Sequence, residues 1–296
     1  MHLARIQDLY GRTGWASLDL ETGQAWWILG CFTEWAEKLT RCQARAPAVD
    51  EMPVQPGRYT LLAPAESGAR VFGVGLNYRT HLERLGSSEP NHPLSYIKPE
   101  SALVPHLGEI LYPAVTQELD YEIELVAVVG RPLEDEANAV SCLLGYTIGN
   151  DVSARDAGRA LGRLDLFTQK ALDQTTPLGP WLTLRAEAGG DRQPELDMQL
   201  SVNGEVRQQD NTREMIFSLA EILNYLDARV KLRAGDVVFT GSTHGVGLES
   251  GIFLQPGDRI EATIQGIGTL INQVGPRRQL AASRRRGRLG FPSDRG

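Results

Sequence analysis

The chain has 296 residues, of which 42% are hydrophobic and 23% are charged. These values are ordinary for a globular protein, leave room for a large core, and exclude an intrinsically disordered chain. The formal net charge of −7 disfavours general nucleic-acid binding, and no apolar run reaches membrane-spanning length. The three cysteines have no close or metal-type spacing, which favours a reducing compartment. We therefore predict a cytoplasmic protein without nucleic-acid or membrane partners.

Composition divides the chain into three predicted regions. Residues 1–66 are expected to form a small N-terminal α/β domain, because two alternating strand patterns precede a short amphipathic helix and a Pro-rich, acidic linker. Residues 67–275 carry most of the strand patterns and are expected to form the main domain. Residues 276–296 are Arg-rich with almost nothing able to pack, so we predict a disordered tail.

The sequence pattern of the main domain predicts many short strands and one clear helix. Asn203-Gly204 is the strongest hairpin turn signal, and Ser218 with Glu221 fits a capping box at the start of a helix over residues 218–229. This pattern predicts a mainly β fold with some α and not a doubly wound one. The predicted strands lie at residues 71–76, 120–130, 143–150, 198–202, 205–207, 237–240 and 259–264.

One of these strands carries an unusual pair of acids. Glu122 and Glu124 share a face with Val126 and Val128, and the opposite face is apolar as well. Two buried carboxylates roughly 6–7 Å apart along a strand repel each other and need protons or a cation. A divalent metal held by carboxylate oxygens is the simplest resolution. A half-exposed strand with both glutamates in water fits the pattern equally, so the strand alone leaves both interpretations open.

Several segments, taken in order, resemble the fumarylacetoacetate hydrolase family over about residues 71–274. Each segment is a weak signal by itself, but their shared order is specific. The resemblance implies a β-roll or mixed β-sandwich catalytic domain, a homodimer, and a divalent cation, Mg²⁺ or Mn²⁺, with Ca²⁺ in some relatives. The segments are Gly75-Leu76-Asn77-Tyr78 with His81, Glu122-Ile123-Glu124, residues 150–156, Lys170 with Pro177-Leu178-Gly179-Pro180, residues 202–208, Pro256-Gly257-Asp258 and residues 266–270.

Residue by residue, the resemblance assigns roles to eight side chains, and a departure from the family pattern adds His244. A metal set of three carboxylates without His or Cys suits a hard cation and leaves positions for water and substrate. Without the resemblance, Lys170 would be expected on the surface, and Arg155 would be explained equally well by an ion pair at a helix end. The predicted metal ligands are Glu122, Glu124 and Asp151, the catalytic residues are His81, Lys170 and His244, and the substrate contacts are Tyr78, Arg155 and Ser242.

The implied reaction is hydrolysis of a carbon–carbon bond in a 1,3-diketo acid or acylpyruvate-like substrate through a metal-stabilised enolate. The Lys170 ammonium would stabilise the enolate oxygen, and His81 would activate water as a general base. One alternative keeps the metal site for a decarboxylase or tautomerase acting on a 2-oxo acid such as oxaloacetate. Another is a tailoring enzyme or a binding protein for a larger diketone.

Two departures from the family pattern bear on the base. Many relatives have a Glu three residues after this histidine, where the chain has Arg84, so we predict that His81 lacks an orienting carboxylate. The family's Gly-Thr-Pro reads here as Gly241-Ser242-Thr243. Ser242 keeps a hydroxyl for substrate, loss of the proline loosens the loop, and the adjacent His244 becomes an alternative base.

Overall fold

The computed structural model describes residues 1–42, 44, 46–159 and 165–279. Residues 280–296, most of the predicted tail, lie outside the described residues. The strands are β1 (His2–Asp8), β2 (Thr13–Leu18), β3 (Ala25–Trp27), β4 (Tyr59–Leu62), β5 (Val71–Gly75), β6 (Leu94–Lys98), β7 (Leu103–Val104), β8 (Glu109–Tyr112), β9 (Leu119–Asp120), β10 (Ile123–Val129), β11 (Leu143–Asn150), β12 (Ser153–Ala154), β13 (Thr176–Leu184), β14 (Asp197–Val202), β15 (Glu205–Asn211), β16 (Val237–Ser242), β17 (Arg259–Ile264) and β18 (Gly268–Arg277). The α-helices are α1 (Phe32–Thr40), α2 (Arg79–Leu85), α3 (Arg155–Arg159), α4 (Leu166–Lys170), α5 (Leu219–Asp227) and α6 (Gly247–Ser250), and short 3₁₀ helices span Glu100–Ala102, Glu136–Cys142, Arg185–Glu187 and Thr212–Glu214.

Two main sheets organise these strands. The larger has 11 strands in the order β3-β2-β1-β13-β11-β10-β16-β5-β6, with β4 beside β1 and β7 beside β13. The second has the order β15-β14-β17-β18-β8, and β9 pairs with β12. The predicted mainly β fold with some α is confirmed. None of the described helices has the length and apolar character needed to cross a membrane.

Strand β10 lies inside the larger sheet, and all of its residues are buried. Ile123, Leu125 and Ala127 belong to a core cluster shared with the second sheet, where Leu200 and Ile260 meet them. The alternate side chains pack in clusters that contain residues of β16 and helix α1. This burial on both faces confirms the pattern predicted from the sequence.

The N-terminal residues extend the larger sheet. β1 pairs antiparallel with β13, with His2 opposite Thr183 and Leu3 opposite Leu182. The predicted separate N-terminal unit therefore shares backbone hydrogen bonds with the main domain, and the boundary at residue 67 stays a prediction. Alternation in a sequence shows that a strand exists but does not show which strand it pairs with, so this continuity was not predicted.

Two local signals produced the expected structures. Asn203 and Gly204 have positive φ values of 52° and 82°, as a two-residue type I′ turn between β14 and β15 requires. At the start of α5, the Ser218 hydroxyl accepts a hydrogen bond from the backbone N–H of Glu221. The Glu221 carboxylate in turn accepts one from the backbone N–H of Ser218, which completes the predicted capping box.

Four strand ends meet at one edge of the larger sheet. β10 begins there, while its antiparallel neighbours β11 and β16 end there, together with β5, which runs parallel to β16. In this register Glu124 lies opposite both Gly149 and Ser242. Side chains from segments that are far apart in the sequence therefore lie close together at this edge.

Candidate active site

Three carboxylates, here called the carboxylate cluster, converge at this edge. Glu122 directly precedes β10, Glu124 lies within it, and Asp151 directly follows β11. The backbone N–H of Asp151 donates to the carbonyl of Glu122 over 2.8 Å, which fixes the two segments side by side. Ligand oxygens of the three side chains all lie within 4.8 Å of one another, and all three residues are buried. This burial excludes the half-exposed strand that the sequence left open.

Two cations tie Glu122 into this cluster. The buried Lys170 ammonium donates to Glu122 Oε2 over 2.5 Å and also to Asp151, so it is not a surface lysine. Arg155 donates to Glu122 and, through Nε over 2.8 Å, to Asp120 Oδ2. Burial alone would raise the pKa of Glu122, but these two cations outweigh it and lower that pKa. Arg155 therefore has the ion-pairing role that the sequence offered as an alternative, although it also lines the cavity.

The sequence analysis missed two further contacts to Asp151, from Tyr96 and Lys98. Their side chains donate to opposite oxygens of its carboxylate. Strand β6 places Leu94, Tyr96 and Lys98 on one face, because they occupy alternate positions. The lysine at the end of this face was the sequence signal that could have indicated the contact to Asp151. Gly73 on the neighbouring β5 leaves room for the Tyr96 ring, because a Cβ at this position would overlap it.

Glu124 is the member of the cluster that lacks a paired cation within the described part of the chain. Its Oε2 accepts a hydrogen bond from the backbone N–H of Gly241 over 2.7 Å. Burial and the nearby charge of Asp151 hold the pKa of Glu124 well above its ordinary value. Burial would also raise the pKa of Asp151, but Lys170 and Lys98 outweigh it and lower that pKa. A buried carboxyl with a raised pKa takes up a proton unless a cation compensates its charge.

The donor set fits a hard divalent cation. Carboxylate oxygens are the ligands that Mg²⁺ and Mn²⁺ prefer, and the cluster contains no softer His or Cys donor. Three protein side chains leave coordination positions open for water and for the oxygens of a substrate. The residues present therefore support the predicted class of cofactor, with Glu122, Glu124 and Asp151 as the side chains that would hold it.

His81 is paired with a carboxylate that the sequence analysis did not identify. Its Nδ1 lies 2.6 Å from Oε1 of Glu249, and the two side chains are only 6% and 12% exposed. The prediction that His81 lacks an orienting carboxylate, based on Arg84, is wrong, because the partner comes from helix α6 and not from α2. The second oxygen of Glu249 accepts from the backbone N–H of Gly245 over 2.8 Å. The hydrogen bond between His81 Nδ1 and Glu249 fixes the imidazole ring and leaves Nε2 for proton transfer.

The other predicted site residues have different placements. Ser242 lines the cavity, where its Oγ accepts a hydrogen bond from Gln208 Nε2 over 3.0 Å. Tyr78 is fully buried in the core with its hydroxyl 3.4 Å from Met198 Sδ, so it is a packing residue and not a substrate contact. His244 is half-buried and lies outside the described lining of the cavity, and its role as an alternative base stays a prediction.

Glu122, Glu124, Lys170, His81 and Ser242 open into one cavity of about 230 Å³. Besides these polar and charged side chains, five leucines belong to the described lining of the cavity. At this wall Arg159 is 55% exposed and ion-paired with Glu118, so its charge is already compensated. The leucines are Leu76, Leu85, Leu94, Leu166 and Leu248.

Asp120 is fully buried and stabilises the segments next to the carboxylate cluster through hydrogen bonds. It accepts hydrogen bonds from Arg155 and from the backbone N–H groups of Gly247 and Leu248, over 2.5 and 3.0 Å for the latter two. We expect Asp120→Ala to lower the free energy of unfolding by roughly 3–5 kcal/mol, because it leaves a buried guanidinium short of a partner. Urea unfolding measures this loss, with the exposed-turn variant Asp19→Ala as control. A loss no larger than that of the control would contradict this role.

A buried cluster of carboxylates and lysines at the edge of a mixed β-sheet, beside a His–Glu pair, defines a candidate acid–base enzyme that uses a hard cation. Residues 70–275 match the family model described as "Fumarylacetoacetate (FAA) hydrolase C-terminal". The match covers well over half of the chain. The protein therefore belongs to the fumarylacetoacetate hydrolase family, as the resemblance implied.

Three similar proteins illustrate the range of activities in this family. Oxaloacetate tautomerase YisK of Bacillus subtilis is 38% identical over 214 residues, which are 69% of this chain and 69% of that protein. The crystal structure of 5-carboxymethyl-2-hydroxymuconate delta-isomerase from Mycobacterium smegmatis is 31% identical, with a TM-score of 0.76 over 93% of this chain and 99% of that one. Fumarylpyruvate hydrolase from Pseudomonas aeruginosa, solved with Mn²⁺ and pyruvate, is 31% identical, with a TM-score of 0.62 over 76% and 92%.

Proposed function

We propose that the protein catalyses proton transfer on an enolisable 2-oxo acid, interconverting its keto and enol forms with the help of a divalent cation. The observation that carries this proposal is the His81–Glu249 pair, whose histidine lines the same cavity as Glu122 and Glu124. Enolisation needs an oriented base and groups that stabilise an oxyanion. His81, fixed at 2.6 Å from its orienting carboxylate, would be that base, and it lies beside such groups.

Each side chain has a definable task in this reaction. A cation held by Glu122, Glu124 and Asp151 would supply Lewis-acid stabilisation of the enolate oxygen. His81 Nε2 takes the proton from the carbon next to the oxo group and then returns the same proton to the oxygen, which completes the enol and regenerates the neutral imidazole. Lys170 has three N–H donors, two of which bind the cluster, so the third is available to the substrate oxygen.

Hydrolysis of an acylpyruvate is the second candidate, and the same pair supports it. A His81 without an orienting carboxylate, as predicted from the sequence, would be a poor base for water activation. Glu249 removes that objection, since an oriented imidazole can take a proton from water as well as from carbon. The similar proteins include both a tautomerase and a hydrolase, so product analysis has to separate the two reactions.

A single assay series tests the proposal. The purified protein is given oxaloacetate and acetylpyruvate with Mg²⁺ or Mn²⁺, and a chelator provides the control. Ultraviolet absorbance follows the enol, and NMR in D₂O follows exchange at the adjacent carbon and the identity of all products. We expect cation-dependent exchange without bond cleavage. Paired acid products would favour the hydrolase, and CO₂ with pyruvate would favour a decarboxylase. No cation-dependent turnover of any 2-oxo acid would overturn the proposal.

The leucine wall of the cavity predicts which substrates are preferred. An apolar substituent on the carbon distal to the oxo acid would bury against these leucines, whereas a second carboxylate placed against them would lose hydration. We expect kcat/KM to rise roughly threefold to fourfold per added methylene over a short acylpyruvate series. Leu94→Ala should flatten this rise, while the exposed Leu107→Ala should not. A flat wild-type series, or a preference for oxaloacetate over the longer acylpyruvates, would contradict it.

A further inference from the structure

Three side chains form a hydrogen-bonded cluster next to the proposed base, here called the threonine clamp. Thr80 Oγ1 donates to Asp210 Oδ2 over 2.6 Å, and Thr243 Oγ1 donates to the same oxygen. The two hydroxyl oxygens lie 3.2 Å apart. One carboxylate oxygen therefore holds two segments that are more than 160 residues apart in the sequence.

The clamp joins the two segments that carry the His–Glu pair. Thr80 directly precedes His81 in α2, and Thr243 begins the segment that leads to Glu249 in α6. Helix α2 has seven residues and lacks a side-chain cap at its N-terminus. A helix this short is not stable by itself, so its orientation depends on tertiary contacts such as the one to Asp210.

A second side chain on the same strand strengthens this arrangement. Gln208 and Asp210 are two residues apart on β15 and therefore point to the same face. Gln208 Nε2 donates to the carbonyl of Thr243 and to Ser242 Oγ, each over 3.0 Å, while its Oε1 accepts from the backbone N–H of Ile123 over 2.9 Å. Side chains on one face of β15 thus bind the segment after β16 at two groups, the Thr243 carbonyl and the Thr243 hydroxyl.

The clamp also accounts for a departure noted in the sequence. Thr243 stands where the family pattern has proline, whose ring would restrict the loop by itself. Here a hydroxyl bound to Asp210 supplies a restraint from outside the loop. Buried on all sides, Thr243 has no solvent contact that would otherwise explain the polar side chain.

We propose that Asp210 is a positioning residue that keeps His81 and Glu249 aligned by holding Thr80 and Thr243. It acts through these residues and does not touch the substrate. The inference rests on the proposed role of His81 as the proton-transfer group. It assigns to Asp210 a contribution to turnover that is separate from cation binding and from the cavity wall.

Kinetics and NMR of matched variants test this role. We expect Asp210→Ala to lower kcat on the order of 10- to 100-fold with KM and Mn²⁺ affinity nearly unchanged, since small misplacements of a base are costly. Thr80→Val and Thr243→Val should do the same more weakly, whereas Thr80→Ser and Thr243→Ser keep the hydroxyl and should restore turnover. Thr22→Val, which removes a Thr–Asp bond of 2.8 Å in the N-terminal turn, is the matched control. The Nδ1 proton signal of His81 should shift in Asp210→Ala and not in the control.

Several outcomes would overturn the inference. A folded Asp210→Ala protein with wild-type kcat and an unchanged His81 signal is one, and serine variants as slow as the valine variants are another. If Asp210→Ala does not fold, the two valine variants are judged by the same criteria. Failure of the proposed function is distinguishable from failure of this inference, because the wild-type protein itself then lacks cation-dependent turnover. In that case the His81 signal still reports whether Asp210 aligns the ring.

Discussion

Replacing Glu124 with glutamine is expected to abolish stoichiometric Mn²⁺ binding while the protein stays folded. Glutamine keeps the volume and can still accept the hydrogen bond from Gly241, but it removes one of the three carboxylates that would hold the cation. Changes outside the direct ligands already weaken metal sites roughly 10- to 100-fold, so loss of a ligand should cost at least as much. Turnover should disappear together with cation binding.

The same variant should be no less stable than the wild-type protein when no cation is present. Burial disfavours the charged form of Glu124, which raises its pKa, and glutamine removes that unfavourable charge. Cation at 100 times its Kd should stabilise the wild-type protein by about 2.7 kcal/mol and the variant hardly at all. Titration calorimetry and thermal unfolding measure both effects. Glu83→Gln, an exposed acid on α2, is the control. Wild-type Mn²⁺ stoichiometry in Glu124→Gln would remove the carboxylate cluster as the cation site.

The carboxylate cluster could be predicted from the sequence because its signals are local. Alternation placed Glu122 and Glu124 on one face of a strand, and Asp151 ends the next apolar strand in the chain. Neighbouring antiparallel strands that are consecutive in the sequence bring the start of one beside the end of the other. The convergence of these three side chains therefore follows from pattern and chain order.

The partner of His81 could not be predicted in the same way. Glu249 and His81 are 168 residues apart, and their contact depends on β5 and β16 lying side by side in parallel. Strand order in a sheet is set by the packing of both faces, which a single strand pattern does not encode. The search for an acid within one turn of helix α2 therefore led to Arg84 and to a wrong conclusion.

Charge balance explains why the site needs so many long-range contacts. Two buried lysines and one arginine face four buried carboxylates, those of Asp120 and of the cluster. Removing any of the ion-paired members of this set leaves its partner unpaired in a low-dielectric setting, which costs more free energy than the pair itself contributes. Among the described residues of the site Glu124 has no ion-paired cation, so the arrangement is consistent with a site prepared to bind a divalent cation.

His81→Gln is expected to lower turnover roughly 10²- to 10⁴-fold while Mn²⁺ affinity stays at the wild-type value, because the imidazole transfers protons and does not belong to the carboxylate cluster. Glu249→Gln should also slow turnover, because it removes the charge that fixes the Nδ1 tautomer of His81. Glu89→Gln, another acid ion-paired near α2, is the matched control for the second change.

If the two residues act as a unit, the effects of these substitutions should not add. The double variant His81→Gln/Glu249→Gln should be no slower than His81→Gln alone, because Glu249 contributes only through the ring that is already missing. Steady-state kinetics of the four proteins, at saturating Mn²⁺ and matched thermal stability, measure this coupling. Additive losses would show that Glu249 acts independently of His81. A fully active His81→Gln protein would assign proton transfer to another group in the cavity, and Lys170, whose third donor faces the substrate oxygen in the proposed reaction, would be the next residue to replace.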